Sequence, residues 1–258
     1  MSHDDAIPGV KAIMKVLGLD TSTSGCSTAV WVDGSTIAKR AEPMARGQAQ
    51  ALVPMADEVM AEAGLDYTGL DRIAVTVGPG AFTGLRISLA AARGFALAAN
   101  VPVVGITTFE AVAHGLPEGE RAGCRAVLVA VDSRRAEPFL QLFDATLSPL
   151  GEAAMPDPAV IGDWLTARLA ALPDIARGDL LIAGDGVELV RPILQDFANI
   201  RYASGNGVPD AETVAVLAAA RSDVSISGVE PEPFYIRPPD VSLPKSAQPR
   251  DPSAQTKS

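Results

Sequence analysis

The residues best suited to chemistry lie in two short stretches. Asp20-Thr21-Ser22-Thr23 follows an apolar run. A carboxylate there, with hydroxyls and backbone N–H groups in the turn behind it, has the donor set for a hydrated metal and a nucleotide phosphate. The same four residues also suit an ordinary polar turn between two strands, and spacing alone leaves both readings open. The second stretch is Gly78-Pro79-Gly80-Ala81-Phe82-Thr83-Gly84-Leu85-Arg86. Gly78 and Gly80 would let backbone approach a ligand or a neighbouring strand closely. Thr83 suits a helix N-cap, which would turn free N–H groups and a positive dipole end towards an anion, with Arg86 adding charge in the first turn. A tight strand-to-helix turn whose glycines serve packing alone fits equally well. The stretch is neither a Walker loop nor a GxGxxG loop. Histidine chemistry lacks its residues: only His3 and His114 are present, and neither has metal-ligand spacing.

The elements that must position these stretches follow from periodicity. Lys15 to Asp20 reads as a buried strand ending on a carboxylate, and Cys26 to Val32 as a β-rich strand. Asp33-Gly34 is a hairpin turn into a strand from Ser35 to Lys39. Gln48 to Ala63 has helical spacing through Leu52, Met55 and Val59, with Pro54 early in the helix or kinking it. Asp71 to Val77 is the next strand, Thr83 to Ala99 a second helix, Val101 to Ile106 a strand and Thr108 to His114 a short helix. Strands alternating with helices specify an α/β domain.

Pro117-Glu118-Gly119-Glu120 is a polar break and marks a domain boundary. Beyond it, strands are expected at Arg125 to Val131, Pro138 to Phe143 and Leu180 to Ala183. Helices are expected at Val160 to Ala171, Val187 to Phe197 and Ala211 to Arg221. The division reads as a leader at 1–13, a first domain at 14–115 completed by the helix at 210–222, and a smaller domain at 116–209. Seven prolines lie between Pro231 and the end, so the tail at 238–258 is expected to be disordered.

Composition narrows the function classes. The chain has 258 residues, and 31 acidic against 21 basic side chains give a net charge of −10. That charge repels phosphate backbones and argues against autonomous nucleic-acid binding. The two cysteines fit a reducing cytosol. The opening residues make no signal peptide, and the longest apolar candidate, Ile87 to Ala99, is interrupted by Arg93 and Gly94. A cytoplasmic protein with no membrane contact is expected.

Three longer segments carry a resemblance. GLDTSTSGCSTAVW, VGPGAFTGLRISLAAARGFALAANVPVVGITTFEAVA and VDSRRAEPFLQLFD together resemble the TsaB (YeaZ) family, over about residues 14–145 and again at PFYIR, 233–237. The resemblance implies a two-domain, actin-like and sugar-kinase-like α/β fold with a degenerate ATPase site. It implies a non-catalytic subunit of the bacterial complex that adds a threonylcarbamoyl group to the adenosine beside the anticodon in ANN-decoding tRNAs. TsaD would be the direct partner, TsaE a partner through the complex, and tRNA bound only through the complex. A homodimer is the alternative assembly when the chain is alone.

Against the ATPase pattern of that fold, Asp20-Thr21-Ser22-Thr23 resembles the first phosphate loop without its usual glycine. Val131-Asp132-Ser133-Arg134-Arg135 sits where the second belongs, without glycines, and Ala183-Gly184-Asp185-Gly186 is an echo of the adenosine loop. The expected degenerate nucleotide site therefore comprises Asp20, Thr21, Thr23, Gly78, Gly80, Thr83, Arg86 and Asp132. No cofactor is required, and residual nucleotide binding is allowed. The two metal-ligand positions of TsaD fall on Thr108 and Val112, which cannot replace imidazoles, so no metal is expected.

The helix from Thr83 to Ala99 suggests what such a subunit is for. Leu85, Leu89, Ala92 and Ala96 form one stripe and are assigned to the chain's own sheet. Gly84, Ile87, Ser88, Ala91, Gly94, Phe95 and Ala98 form a second, mostly small-residue face, which would let a partner helix come close. In the family, helices of this domain form the partner contact. A helix sandwiched inside its own domain is the competing reading. The competing functions are a stand-alone small-molecule kinase or ATPase, against which the glycine-poor second loop argues, and a peptidase, which lacks a nucleophile-and-base pair.

Overall fold

The structure is a computed structural model that describes residues 13–170, 178–222 and 231–236. The expected tail, most of the expected leader and the end of the helix drawn to Ala171 lie outside the described residues.

The first sheet is a meander with two parallel strands added. β1 (Lys15–Asp20) pairs antiparallel with β2 (Gly25–Val32), and β2 with β3 (Ser35–Pro43). β3 runs on past the expected Lys39 because β2 stays paired with it as far as Gly25 opposite Pro43. β4 (Arg72–Gly78) lies parallel to β1, and β5 (Val103–Thr107) parallel to β4, giving the order β3-β2-β1-β4-β5. Between β3 and β5 come α1 (Gln48–Glu62), which holds Pro54 within it, and α2 (Phe82–Ala99).

Side chains alternate across this sheet as the pleat requires. Leu17, Leu19, Val75 and Val77 meet α1 and α2 in one core, with Leu52, Met55, Val59, Leu89 and Ala92. Val16, Ala74, Val104 and Ile106 point the other way, onto α7 (Ala211–Ala220), through Val214, Ala215 and Ala218. The helix near 210–222 thus packs on the first sheet despite following the second in sequence. Arg72 secures it by donating to the carbonyls of Ala218, at 2.6 Å, and Arg221, at 2.7 Å.

α3 (Thr108–Gly115) joins the two halves. A capping box between Thr107 and Glu110 starts it. Its Ala111 belongs to the core under α7, while Phe109, Val112 and Ala113 enter the core of the second sheet. The polar break holds one helical turn, α4 (Glu118–Arg121).

The second sheet has β7 (Phe139–Asp144) antiparallel to β6 (Cys124–Val131), then β8 (Asp179–Ala183) and β9 (Ile200–Tyr202) in parallel, in the order β7-β6-β8-β9. Its outer face is covered by α5 (Ile161–Leu169) and α6 (Val187–Val190). α6 is far shorter than the expected helix to Phe197. Pro192 lacks an N–H and its ring collides with the carbonyl four residues back, so one turn is all that forms. The two sheets give an α/β architecture: each joins antiparallel strands to parallel additions, with helices on the faces.

Candidate functional site

Asp20 ends β1 on the α7 side of the sheet, beside Thr76 of β4. Its Oδ1 accepts three hydrogen bonds: from the Ser22 N–H at 3.0 Å, the Ser22 hydroxyl at 2.6 Å and the Thr76 hydroxyl at 2.5 Å. Its Oδ2 is buried and makes no hydrogen bond. Burial pushes the carboxyl up to about 6; the three hydrogen bonds oppose that rise and the nearby Asp210 carboxylate adds to it. The hydroxyls of Thr23 and Thr108 are likewise buried and unpartnered.

The loop after Asp20 turns towards α2. The Thr21 hydroxyl donates to the Gly84 carbonyl at 2.6 Å, and the Ala81 N–H donates to the Ser22 carbonyl at 2.7 Å. The backbones touch so closely that a Cβ on Gly84 would overlap the Thr21 oxygen, and one on Gly80 the Ser22 oxygen. Glycine at these positions lets one loop pack closely on the other.

The expected nucleotide residues therefore divide. Asp20, Thr21, Thr23 and Gly80 are brought together. Gly78 instead faces the Phe234 carbonyl of the C-terminal segment. Thr83 is not an N-cap: α2 starts at Phe82, its N-cap is Ala81, and no side chain caps it. Arg86 points away from Asp20, with its guanidinium carbon 3.7 Å above the Phe82 ring. Gly84, two residues earlier, lies on the opposite side of the helix against Thr21, so Arg86 cannot turn to the loop.

Asp132 sits at the end of β6 and is occupied locally. Its N–H donates to Asp185 Oδ1 at 2.9 Å, and its carboxylate accepts from the Arg134 N–H at 2.7 Å and guanidinium at 2.9 Å. Arg134 has a positive φ of 62°, the conformation for which a phosphate loop would use glycine. Asp132 and Asp20 share no hydrogen bond. Beside Asp185 lies a cavity of about 230 Å³, lined by Gly184, Glu188, Arg191 and Asn206 among others. Burial raises the Asp185 pKa, and the Asp132 carboxylate adds to the rise. Among the described residues no three His, Cys, Asp or Glu side chains gather to hold a metal. Val112 is in the second core.

α2 buries its Leu85–Leu89–Ala92–Ala96 stripe as the periodicity predicts. The small-residue face is split. Gly84 and Ser88 are buried by the chain's own structure and cannot meet a partner. Ile87, Ala91 and Phe95 are half-buried against the first core, Phe95 stacking on Tyr67 with centroids 4.7 Å apart. Gly94 and Ala98 are exposed. The open side of the helix runs through Thr83, Arg86, Ala90, Gly94 and Leu97, with Leu97 86% exposed.

Residues outside the expected set carry part of the geometry. Ser22 and Thr76 hold Asp20. A threonine inside the apolar strand RIAVTVG was the available signal for Thr76. Phe82 and Tyr235 form an exposed ring pair, signalled by the aromatics of PFYIR.

Comparison with known proteins agrees with this arrangement. The family model for TsaD, tRNA N6-adenosine threonylcarbamoyltransferase, matches residues 41–226. The tRNA threonylcarbamoyladenosine biosynthesis protein TsaB of Escherichia coli (strain K12) is 31% identical over 201 residues, 72% of this chain and 85% of that protein. The structure of YeaZ from Pseudomonas aeruginosa superimposes with a TM-score of 0.66 at 30% identity, covering 82% of this chain and 95% of that one. A second Pseudomonas aeruginosa structure, described as similar to peptidase YEAZ, gives a TM-score of 0.70 at 29% identity over 87% of this chain and all of that one. The TsaD model reflects the shared fold. The curated TsaB relative, matched over 85% of its length, and the YeaZ structure, matched over 95%, place this chain in the TsaB (YeaZ) family.

Proposed function

We propose that this protein is a non-catalytic, activating subunit in the synthesis of threonylcarbamoyladenosine in tRNA. It acts by binding TsaD, and it meets TsaE and tRNA only within the complex. The observation that carries the reading is the open side of α2. A helix already anchored on its own sheet presents Ala90, Gly94 and Ala98, small enough for a second helix to approach, beside a Leu97 that is 86% exposed. The net charge of −10 supports the tRNA part of the reading, because the polyanion must then be held by a partner.

The nucleotide apparatus supports a role without chemistry. The first loop spends the Thr21 hydroxyl and the Ser22 carbonyl on the start of α2, and the second spends Asp132 on Arg134. The role needs no cofactor. Residual nucleotide binding is the secondary reading, favoured by the cavity of about 230 Å³ beside Asp185. No described helix is long and apolar enough to cross a membrane, which supports a cytoplasmic setting. A homodimer is the alternative assembly when TsaD is absent.

The test is reconstitution. The pure chain should neither hydrolyse ATP nor modify tRNA, and it should stimulate modification when added to TsaD, TsaE and the threonylcarbamoyl donor. ATP turnover by the chain alone, lost on Asp20→Ala, would replace this reading with the kinase.

A further inference from the structure

The chain has only twelve aromatic residues (two Trp, three Tyr and seven Phe). Three of them are exposed, namely Phe82 at 42%, Phe234 at 37% and Tyr235 at 36%, and two of these, Phe82 and Tyr235, meet. Phe82 and Tyr235 have ring centroids 5.9 Å apart, and Arg86 stacks on Phe82. Tyr235 comes from the segment 231–236, which is fastened at several points. Arg93 donates to the Pro231 carbonyl at 2.9 Å, the Phe234 N–H donates to the Val77 carbonyl at 2.7 Å, and Ile236 packs on the second core. The rings are therefore held in place before anything binds, which lowers the ordering cost of using them.

Arg86 supplies the chemistry. Its guanidinium faces one ring, and among the described residues it has no carboxylate partner. A stacked guanidinium keeps its N–H edges free for two parallel bonds to a carboxylate. Exposed Arg and Tyr beside one another are the side chains that most often anchor protein interfaces. The cluster also continues into the open side of α2, since Arg86, Ala90, Gly94 and Leu97 follow one another at helical spacing.

We propose that Phe82, Arg86 and Tyr235 anchor the TsaD surface, receiving from that subunit a carboxylate flanked by apolar side chains. The inference rests on the α2 reading given above and adds a contact of its own at the end of the helix. The chain as a whole carries a net charge of −10, which disfavours a partner carboxylate over most of its surface, so a cationic socket at Arg86 fixes the register in which the partner docks.

The test is the dissociation constant of the full-length chain with TsaD, measured by calorimetry for the wild type, Arg86→Glu, Tyr235→Ala and Ala90→Arg. Arg86→Glu and Tyr235→Ala are each expected to weaken binding by about tenfold or more. Arg86→Glu should melt with the wild type, because its side chain is exposed. Wild-type affinity in Arg86→Glu, with loss in Ala90→Arg, would overturn the anchor and leave the α2 reading standing. Absence of binding by the wild type would overturn both.

Discussion

The Thr21 hydroxyl donates to the Gly84 carbonyl at 2.6 Å across 63 residues of sequence, joining the loop after Asp20 to the first turns of α2. The Ser22 carbonyl of the same loop accepts from the Ala81 N–H, so the loop positions a helix, and the helix carries the open surface.

The close approach at Gly84 predicts a pair of opposite results on one helix. Gly84→Ala should destabilise by about 1–3 kcal/mol through overpacking, outweighing the roughly 1 kcal/mol that alanine offers in a helix. Gly94→Ala, where an added Cβ meets nothing within 4 Å, should stabilise by about 1 kcal/mol. Denaturant midpoints of the two variants decide it, and equal shifts would contradict the packing described at Thr21.

Asp20 predicts a pH dependence. Its folded pKa of about 6 lies above the ordinary 3.8, so the native state holds this proton more tightly than the unfolded chain. The stabilisation is fully present below the unfolded value and lost as pH rises towards 6 and beyond. A shift of that size corresponds to about 3 kcal/mol. In Asp20→Asn this decline should vanish, so the difference in stability between variant and wild type should move in the variant's favour between pH 4 and pH 7. Parallel stability curves for the two proteins would show that the carboxyl titrates normally.

Leu89 and Ala90 are neighbours on α2 with opposite surroundings, one 3% exposed in the core and the other open to solvent. Leu89→Arg buries an unpaired charge and should prevent stable folding, a loss above about 4 kcal/mol. Ala90→Arg should stay within about 0.5 kcal/mol of the wild type. Thermal melts of the isolated variants distinguish the two, and similar losses would mean that α2 is covered on both sides.

Much of the fold was legible because its signals are local. The apolar run closing on Asp20, the Asp33-Gly34 hairpin and the Leu85–Leu89–Ala92–Ala96 stripe each follow from periodicity and turn chemistry, and the structure places them accordingly. What escaped depends on contacts distant in sequence. Helical spacing put Gly84 and Ser88 on a partner face, but it carries no information about a loop 63 residues away that occupies the same space. Arg86 looked like part of the nucleotide site from its place in the first turns, yet its guanidinium lies over the ring of Phe82. Thr76 needed the β1–β4 pairing to be seen as a partner of Asp20. Within the second domain, the helix drawn to Phe197 overlooked Pro192, a local signal outweighed by the apolar spacing around it.

The most direct test of the account is the affinity of Ala90→Arg for TsaD, with its melting temperature measured beside it. A charged side chain at the dry centre of a helix–helix contact costs several kcal/mol, so binding should weaken by about a hundredfold or more while the melting temperature stays at the wild-type value. A variant that folds and binds TsaD as tightly as the wild type would contradict the assignment of α2 as the partner surface.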